Sequence, residues 1–398
     1  MMEEKKLVPK RRFNAFGEKW ETNRLGTICD LTSSKRVHSG DYVEDGIPFF
    51  RGTEITKIAS SSKLEDVFYI SNEHYMELKR NYGVPEIGDI LITAVGTLGN
   101  VNLITNDIKF YFKDGNLIWV KNIKIDSSYL SIYLGNGKGK QRLLESAAGS
   151  NQGALTMDKM RNILVIFPSE EEQQKIGEFF KVLDERIANQ ERKIAKVKAL
   201  KTAYLTEMFP QEGETVPKRR FKEFQGKWKD ISLEEALDYE QPNSYIVDEE
   251  DYSDKFTTPV LTAGQSFLLG FTQETHGIKN ASLDNPVVIF DDFTTSSHFV
   301  DFSFKVKSSA LKILIPDKNK YNSYFLYQVL KNIDYKPKNH ERHWISIFSI
   351  FTVKVPAKSE QKKIGEFFKN LDDQIATEEK KLAKLKKMKE AYLEEMFV

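Results

Sequence analysis

The chain has 398 residues, enough for two domains or more, each with its own buried core. Its 59 basic and 58 acidic side chains leave a formal charge of +1, which excludes a chain-wide basic field and leaves only local patches to meet an anion. Cys29 is the single cysteine, so a disulfide framework and a cysteine metal site are excluded; no apolar leader follows "MMEEKKLVPKRRF" and no run reaches membrane length, so a soluble, cytoplasmic protein is expected.

In chain order, the phrase "PKRRFNAFGEKW" (Pro9–Trp20) comes first. "GIPFFRGTEI" (Gly46–Ile55) reads as a short strand. "GDILITAVGTLGNV" (Gly88–Val101) is a β-branched run broken at Gly96 and Gly99, which predicts a strand and then a tight loop. "NLIWVKN" (Asn116–Asn122) is another strand, and "SYLSIYL" (Ser128–Leu134) opens a helix. "GNGKGK" (Gly135–Lys140) reads as a flexible loop able to touch phosphate, since no serine or threonine follows its lysine as a nucleotide loop requires. "AAGSNQGALT" (Ala147–Thr156) is a polar, glycine-rich loop, and "ILVIFP" (Ile163–Pro168) is a last strand.

A long helix follows. Ile176, Phe180, Leu183, Ile187, Ile194, Val197, Tyr204 and Met208 fall at alternating spacings of three and four, the seam of a coiled coil. Ser169 with Glu172 forms a capping-box pattern after Pro168, and Pro210 stops the helix. Gln190 and Lys201 interrupt the seam, as polar positions that fix register or partner choice do. The remaining faces are crowded with lysine and glutamate, a solvated surface or one that meets a partner.

The second half repeats this plan. "PKRRFKEFQGKW" (Pro217–Trp228) returns 208 residues on (217 − 9), and Gln173–Phe209 returns as Gln361–Phe397, 188 on (361 − 173), with about two-thirds of the aligned positions identical. The hexapeptide "KIGEFF" is common to both helices. Between the phrases, "TTPVLTAG" (Thr257–Gly264), "NPVVIFDDFTTSS" (Asn285–Ser297) and "ALKILIP" (Ala310–Pro316) read as strands, "YFLYQVL" (Tyr324–Leu330) as a helix and "FTVKVP" (Phe351–Pro356) as the exit strand. The second seam is Ile364, Phe368, Leu371, Ile375, Leu382, Leu385, Tyr392 and Met396, interrupted by Glu378 and Lys389 at the matching places. The expected fold is α/β (α+β): two similar mixed domains, 1–168 and 211–356, separated by two long antiparallel coiled-coil helices, 169–210 and 357–398, in a pseudo-twofold repeat. In that order Leu183, Ile187 and Ile194 would face Leu385, Leu382 and Ile375.

No reaction can be assembled from the residues. His340 and His343 are too close for a zinc pair on a helix, Asp291 and Asp292 lack the lysine a metal-dependent nuclease needs, and no glycine-flanked serine nucleophile is present, so no metal and no cofactor are expected. The loops, in contrast, carry hydroxyl, amide and basic side chains of the kind that read base edges and hold phosphates. The candidates are Arg51, Thr97, Asn100, Lys113, Ser150, Asn151 and Gln152 in the first half, and Thr295, Ser296, Lys338 and Arg342 in the second.

The whole arrangement resembles the specificity subunit of Type I restriction-modification systems. "EQQKIGEFFKVLDERI" with "AYLTEMF", and "EQKKIGEFFKNLDDQI" with "AYLEEMF", carry the match, and "GDILITAVGTLGNV" and "TTPVLTAG" look like openings of recognition domains. The resemblance implies a non-enzymatic reader of double-stranded DNA with a bipartite target, one half per domain, and helices that set the spacer. It also implies two modification subunits docked on the helices and domains, and a translocating restriction subunit in the full complex. With no basic domain face, phosphate binding would rest largely on those partners. Two other readings stay open. A self-contained DNA methyltransferase or restriction enzyme would need a donor-binding glycine loop and a catalytic N/D-P-P-Y/F tetrapeptide, which "DNPVV" (Asp284–Val288) fails at its second proline; a coiled-coil scaffold would not touch DNA at all.

Overall fold

The computed structural model describes residues 8–59, 62–147, 154–262, 266–335 and 343–398. The chain divides into two compact units, residues 1–190 with 381–398, and residues 191–380.

In the first unit an antiparallel sheet runs in the order Asp30–Thr32, Leu117–Lys121, Ile90–Thr93, Val101–Leu103. Ile90–Thr93 is buried along its whole length, as a β-branched run between packed layers should be. A second sheet orders Tyr42–Val43, Phe68–Ile70, Ile47–Phe50 and Tyr111–Phe112, its last pair parallel. Two sequence readings change here. The strand expected through Ile55 stops at Phe50, because Gly52–Ala59 is a helix. Glu54 starts it by accepting from the Arg51 backbone N–H at 2.7 Å, a carboxylate at the positive end of the helix. "GNGKGK" is not a loop either: Gly137–Glu145 is a helix. Gly139 permits it, since a Cβ there would stand 2.0 Å from the Tyr133 carbonyl oxygen.

The second unit has the same plan. An antiparallel sheet orders Leu237–Glu240, Leu311–Pro316, Val287–Asp291 and Ser297–Val300. A smaller one orders Leu268–Thr272, Thr258–Leu261 and Lys305–Val306, again ending on a parallel pair. In each unit a two-stranded ribbon closes the domain, Glu21–Arg24 on Leu164–Phe167 and Lys229–Ser232 on Thr352–Val355, and leads into a long helix, Glu170–Met208 or Lys358–Glu395.

The repeated hexapeptide belongs to this frame. Ile176 and Phe180 are buried in the first unit, and Ile364 and Phe368 in the second. Gln173 donates to the Pro168 carbonyl (2.8 Å) and accepts from the Asp126 N–H (2.9 Å); Gln361 does the same with Pro356 (2.9 Å) and Asn322 (3.0 Å). Asp126 and Asn322 in turn cap the helices Ser127–Gly135 and Ser323–Lys331, accepting from Tyr129 N–H at 2.7 Å and Phe325 N–H at 2.9 Å. Gly177 and Gly365 let the long helix pass close over these caps: an added Cβ would meet Ser128 Cβ at 3.0 Å or Asn322 Oδ1 at 2.3 Å. Glu172 forms a bidentate pair with Arg12 at 2.7 and 2.6 Å, and Glu360 one with Arg220 at 2.7 Å twice, so this acid holds the opening phrase rather than completing the expected capping box.

Within each unit the start of one long helix packs on the end of the other. Ile176, Phe180 and Leu183 share a core with Met396, and Met388, Tyr392, Leu393 and Phe397 pack against it. In the second unit Ile364, Phe368 and Leu371 share a core with Met208 and Phe209, against which Val197 and Tyr204 pack. Ile194 and Ile375 are buried, while Ile187, Leu382 and Leu385 are half-buried. The seam's interrupting lysines are paired: Lys389 with Asp184 at 2.5 Å, Lys201 with Asp372 at 2.6 Å. Each ammonium reaches a carboxylate of the other helix, which favours one register over its neighbours.

Candidate nucleic-acid interface

In the first unit the hairpin between Ile90–Thr93 and Val101–Leu103 is pinned from beneath. The buried Thr93 hydroxyl donates to the Thr97 carbonyl and accepts from the Asn100 N–H at 2.9 Å, while Thr93 O accepts from Gly99 N–H at 2.9 Å. Ala94 is tied on both sides: its N–H donates to Asn116 O (2.8 Å) and its carbonyl accepts from Leu155 N–H (3.0 Å). Val95, Gly96 and Thr97 are left exposed. They border a cavity of about 520 Å³ that Arg51, Thr56, Lys113 and Asn116 also line, and Asn100 donates to Thr56 Oγ1 at 2.9 Å beside it.

The cavity therefore gathers Arg51, Thr97 and Lys113 from distant parts of the sequence. Their charges are not equally available. Arg51 donates to both oxygens of Glu54 at 2.5 and 3.1 Å and lies 4.4 Å from the centre of the Phe68 ring. Burial pushes the Glu54 carboxyl up, but its hydrogen bonds from Arg51 outweigh this and hold it below its ordinary range. Lys113 is exposed and carries the freer charge of the two.

The second unit builds the matching hairpin, between Val287–Asp291 and Ser297–Val300, with other side chains. Asp291 takes the place of Thr93: its Oδ1 accepts from Phe293 N–H (2.8 Å) and Thr294 N–H (3.1 Å), and its Oδ2 from the Thr294 hydroxyl (2.6 Å). Asp292 takes the place of Ala94: its N–H donates to Ala310 O (3.3 Å), and its carbonyl accepts from His343 N–H (3.1 Å). Thr295 sits at φ +60°, a costly conformation for a β-branched residue, and the Asp291 hydrogen bonds hold the turn that imposes it. Phe293, Thr294 and Ser296 are exposed and Thr295 half-buried.

Ser150, Asn151, Gln152, Lys338 and Arg342 lie outside the described residues. The residues that follow those two segments are nevertheless equivalent anchors, Leu155 on Ala94 and His343 on Asp292. In both units the chain leaving the second candidate loop is thus bonded to the first residue of the hairpin turn. Sequence reasoning also missed what lies under the second turn. Lys312 and Asp292 are both buried, Nζ and Oδ2 being 3.6 Å apart; Lys312 donates to Gln241 at 2.9 Å and Asp292 Oδ1 accepts from Trp344 N–H at 2.9 Å. A lysine inside the apolar strand "LKILIP" is the one signal that could have revealed it.

Asp248, Glu274 and His276 could offer three ligand atoms to a metal, yet Lys305 Nζ stands 2.5 Å from Glu274 Oε2 and the N–H groups of Asp248 and Glu249 occupy Oε1. The ammonium already supplies the positive charge there.

Two units of one plan, each with a hairpin turn anchored by backbone bonds at its first residue, repeat one architecture along the chain. The family model for the Type I restriction modification DNA specificity domain matches residues 17–199 and 225–387, and the chain belongs to this family. It is 45% identical over 136 residues to the Type I restriction enzyme EcoR124I/EcoR124II specificity subunit of Escherichia coli, a match spanning 33% of either chain, so that about a third of the curated relative's length is covered. The crystal structure of a Type I restriction-modification S subunit from M. genitalium has the same fold, with a TM-score of 0.68 at 16% identity over 98% of this chain and 99% of that one. A chain from work on complex assembly and conformational transition of the type I R-M system gives 0.50 at 15% identity, over 95% and 97%. The expected mixed α/β fold of two domains with long helices is borne out.

Proposed function

We propose that this chain is the sequence-specific DNA-recognition subunit of a Type I restriction-modification complex, working in the cytoplasm. Each domain reads one half of a bipartite duplex target. The long helices set the unread spacer and dock two modification subunits, which carry the chemistry; a restriction subunit joins that core. The chain itself transfers no methyl group and cuts no DNA. One observation carries this reading: two domains of dissimilar sequence fix equivalent hairpin turns through equivalent anchors, Ala94 with Leu155 and Asp292 with His343. The arrangement suits parts that must vary in what they touch while staying fixed in place.

Exchange of the segment between Trp20 and Pro168 for its counterpart from a relative, followed by methylome sequencing of a host carrying the intact system, tests it. One half of the methylated motif is expected to change and the other to stay. A folded chimera that altered both halves, or neither, would refute independent readers.

A further inference from the structure

The two hairpin turns share one feature that hydroxyl and basic candidates do not account for. The first residue beyond the doubly anchored position is apolar and exposed in both: Val95, 46% exposed, and Phe293, 37% exposed. The halves differ in sequence here, so the agreement is one of placement. Both backbones are fixed by neighbouring bonds, Ala94 to Asn116 and Leu155, Asp292 to Ala310 and His343. Neither side chain gains anything from water, and neither pays much ordering entropy on contact.

In the second turn the hydroxyl groups are engaged inside the turn itself. Thr294 Oγ1 donates to Asp291 and lies 3.0 Å from Ser296 Oγ, and Thr295 Oγ1 donates to the Thr294 carbonyl (2.7 Å), so Phe293 is the exposed apolar group of the second turn, beside hydroxyls already engaged with one another. In the first, Val95 borders the cavity that Lys113 lines, a cation within the same concavity to meet a phosphate. A duplex offers one apolar mark on a base edge, the C5-methyl group of thymine in the major groove, and apolar side chains recognise it by contact.

We propose that Val95 and Phe293 are equivalent specificity-determining residues, each reading the methyl group of a thymine in its own half-site. The proposal rests on the DNA-reading function above. Its test uses the full chain with its modification subunits and duplexes carrying the motif found by methylome sequencing, each thymine replaced in turn by deoxyuridine. Binding is followed by fluorescence anisotropy. Loss of one methyl at the read position in each half-site is expected to weaken binding about four-fold, the worth of one buried methyl group. Val95→Ala should erase the difference in one half and Phe293→Ala in the other, with unchanged melting temperatures because both side chains are exposed. The proposal is overturned if deoxyuridine is neutral at every thymine while the motif is still preferred over scrambled DNA. A half-site without a T·A pair, or discrimination that survives both alanine variants, overturns it equally. Wild-type protein with no preference for the motif over scrambled DNA would sink the DNA-reading function itself, a distinguishable result.

Discussion

Alanine at the glycine of "KIGEFF" should act differently in the two copies, although the hexapeptides are identical. Within a helix Ala is favoured over Gly by about 1 kcal/mol. At Gly365 the new Cβ would lie 2.3 Å from Asn322 Oδ1, 3.1 Å from its Cγ and 3.2 Å from Phe325 N, so Asn322 has to move. Moving it breaks the cap on Phe325 N–H, worth about 0.5–2 kcal/mol, and overpacking adds about 1–3 kcal/mol. Gly365→Ala should therefore destabilise its unit by about 0.5–4 kcal/mol net. At Gly177 the nearest atoms are Ser128 Cβ at 3.0 Å and Asp126 Oδ1 at 3.2 Å, which a shift of a few tenths of an ångström relieves. Overpacking at its low end then offsets the helix gain, and Gly177→Ala should stay within about 1 kcal/mol of wild type. Native-state hydrogen exchange at the capped amides of Phe325 and Tyr129, in rising urea, reads the two units separately. Asn322→Gly added to Gly365→Ala should recover most of the loss, since glycine caps only a few tenths of a kcal/mol less well. Equal losses in both copies, or a Gly365→Ala protein as stable as wild type, would show that the cap contact does not set the requirement for glycine.

Arg220→Met leaves the buried Glu360 carboxylate without its partner and should cost about 3–5 kcal/mol in urea unfolding, while Arg220→Met with Glu360→Leu should return close to wild type. A single variant within about 1 kcal/mol of wild type would mean that the carboxylate finds water instead. Burial first, and then Lys331, hold the His298 pKa below its ordinary 6.5, so the unfolded chain takes up the proton more readily than the folded one. That penalty is absent above 6.5 and grows as pH falls from there towards the depressed folded value; His298→Phe, which keeps a ring on Phe267, should remove it. Parallel plots of urea midpoint against pH for the two proteins would contradict it.

The fold was legible where one periodicity ruled. The seam from Ile176 to Met208 announced a long helix, and runs such as "ILIT" and "VVIF" announced buried strands, because burial there depends on local spacing alone. It was illegible where a distant atom decides. The helix Gly137–Glu145 needs Gly139 against the Tyr133 carbonyl, and glycine in sequence signals a loop. Glu172 looked like a helix cap because its partner Arg12 lies 160 residues away. Arg51 looked like a phosphate ligand because the pairing with Glu54 appears only once Gly52–Ala59 is helical. The candidate interface was half visible: hydroxyl-rich turns stand out, but the anchors that order them are backbone bonds, and any residue can make those.

That last point bears on how the two halves diverged. Arg12 and Arg220 are 208 residues apart, Ala94 and Asp292 are 198 apart, Asn116 and Ala310 are 194 apart, and Leu155 and His343 are 188 apart. The second domain is thus shorter in each interval between anchors, while every anchor keeps its partner. Loop length is cheap to change, since closure entropy varies slowly with it. A backbone bond survives any substitution except proline at its donor. Side-chain identity is needed instead in the frame, where Arg12 and Arg220 hold Glu172 and Glu360, and Gln173 and Gln361 bind both the exit strand and the neighbouring cap. A turn suspended between backbone anchors can replace every side chain it shows to a target, as Val95–Thr97 and Phe293–Ser296 have done, without moving from its place over the sheet.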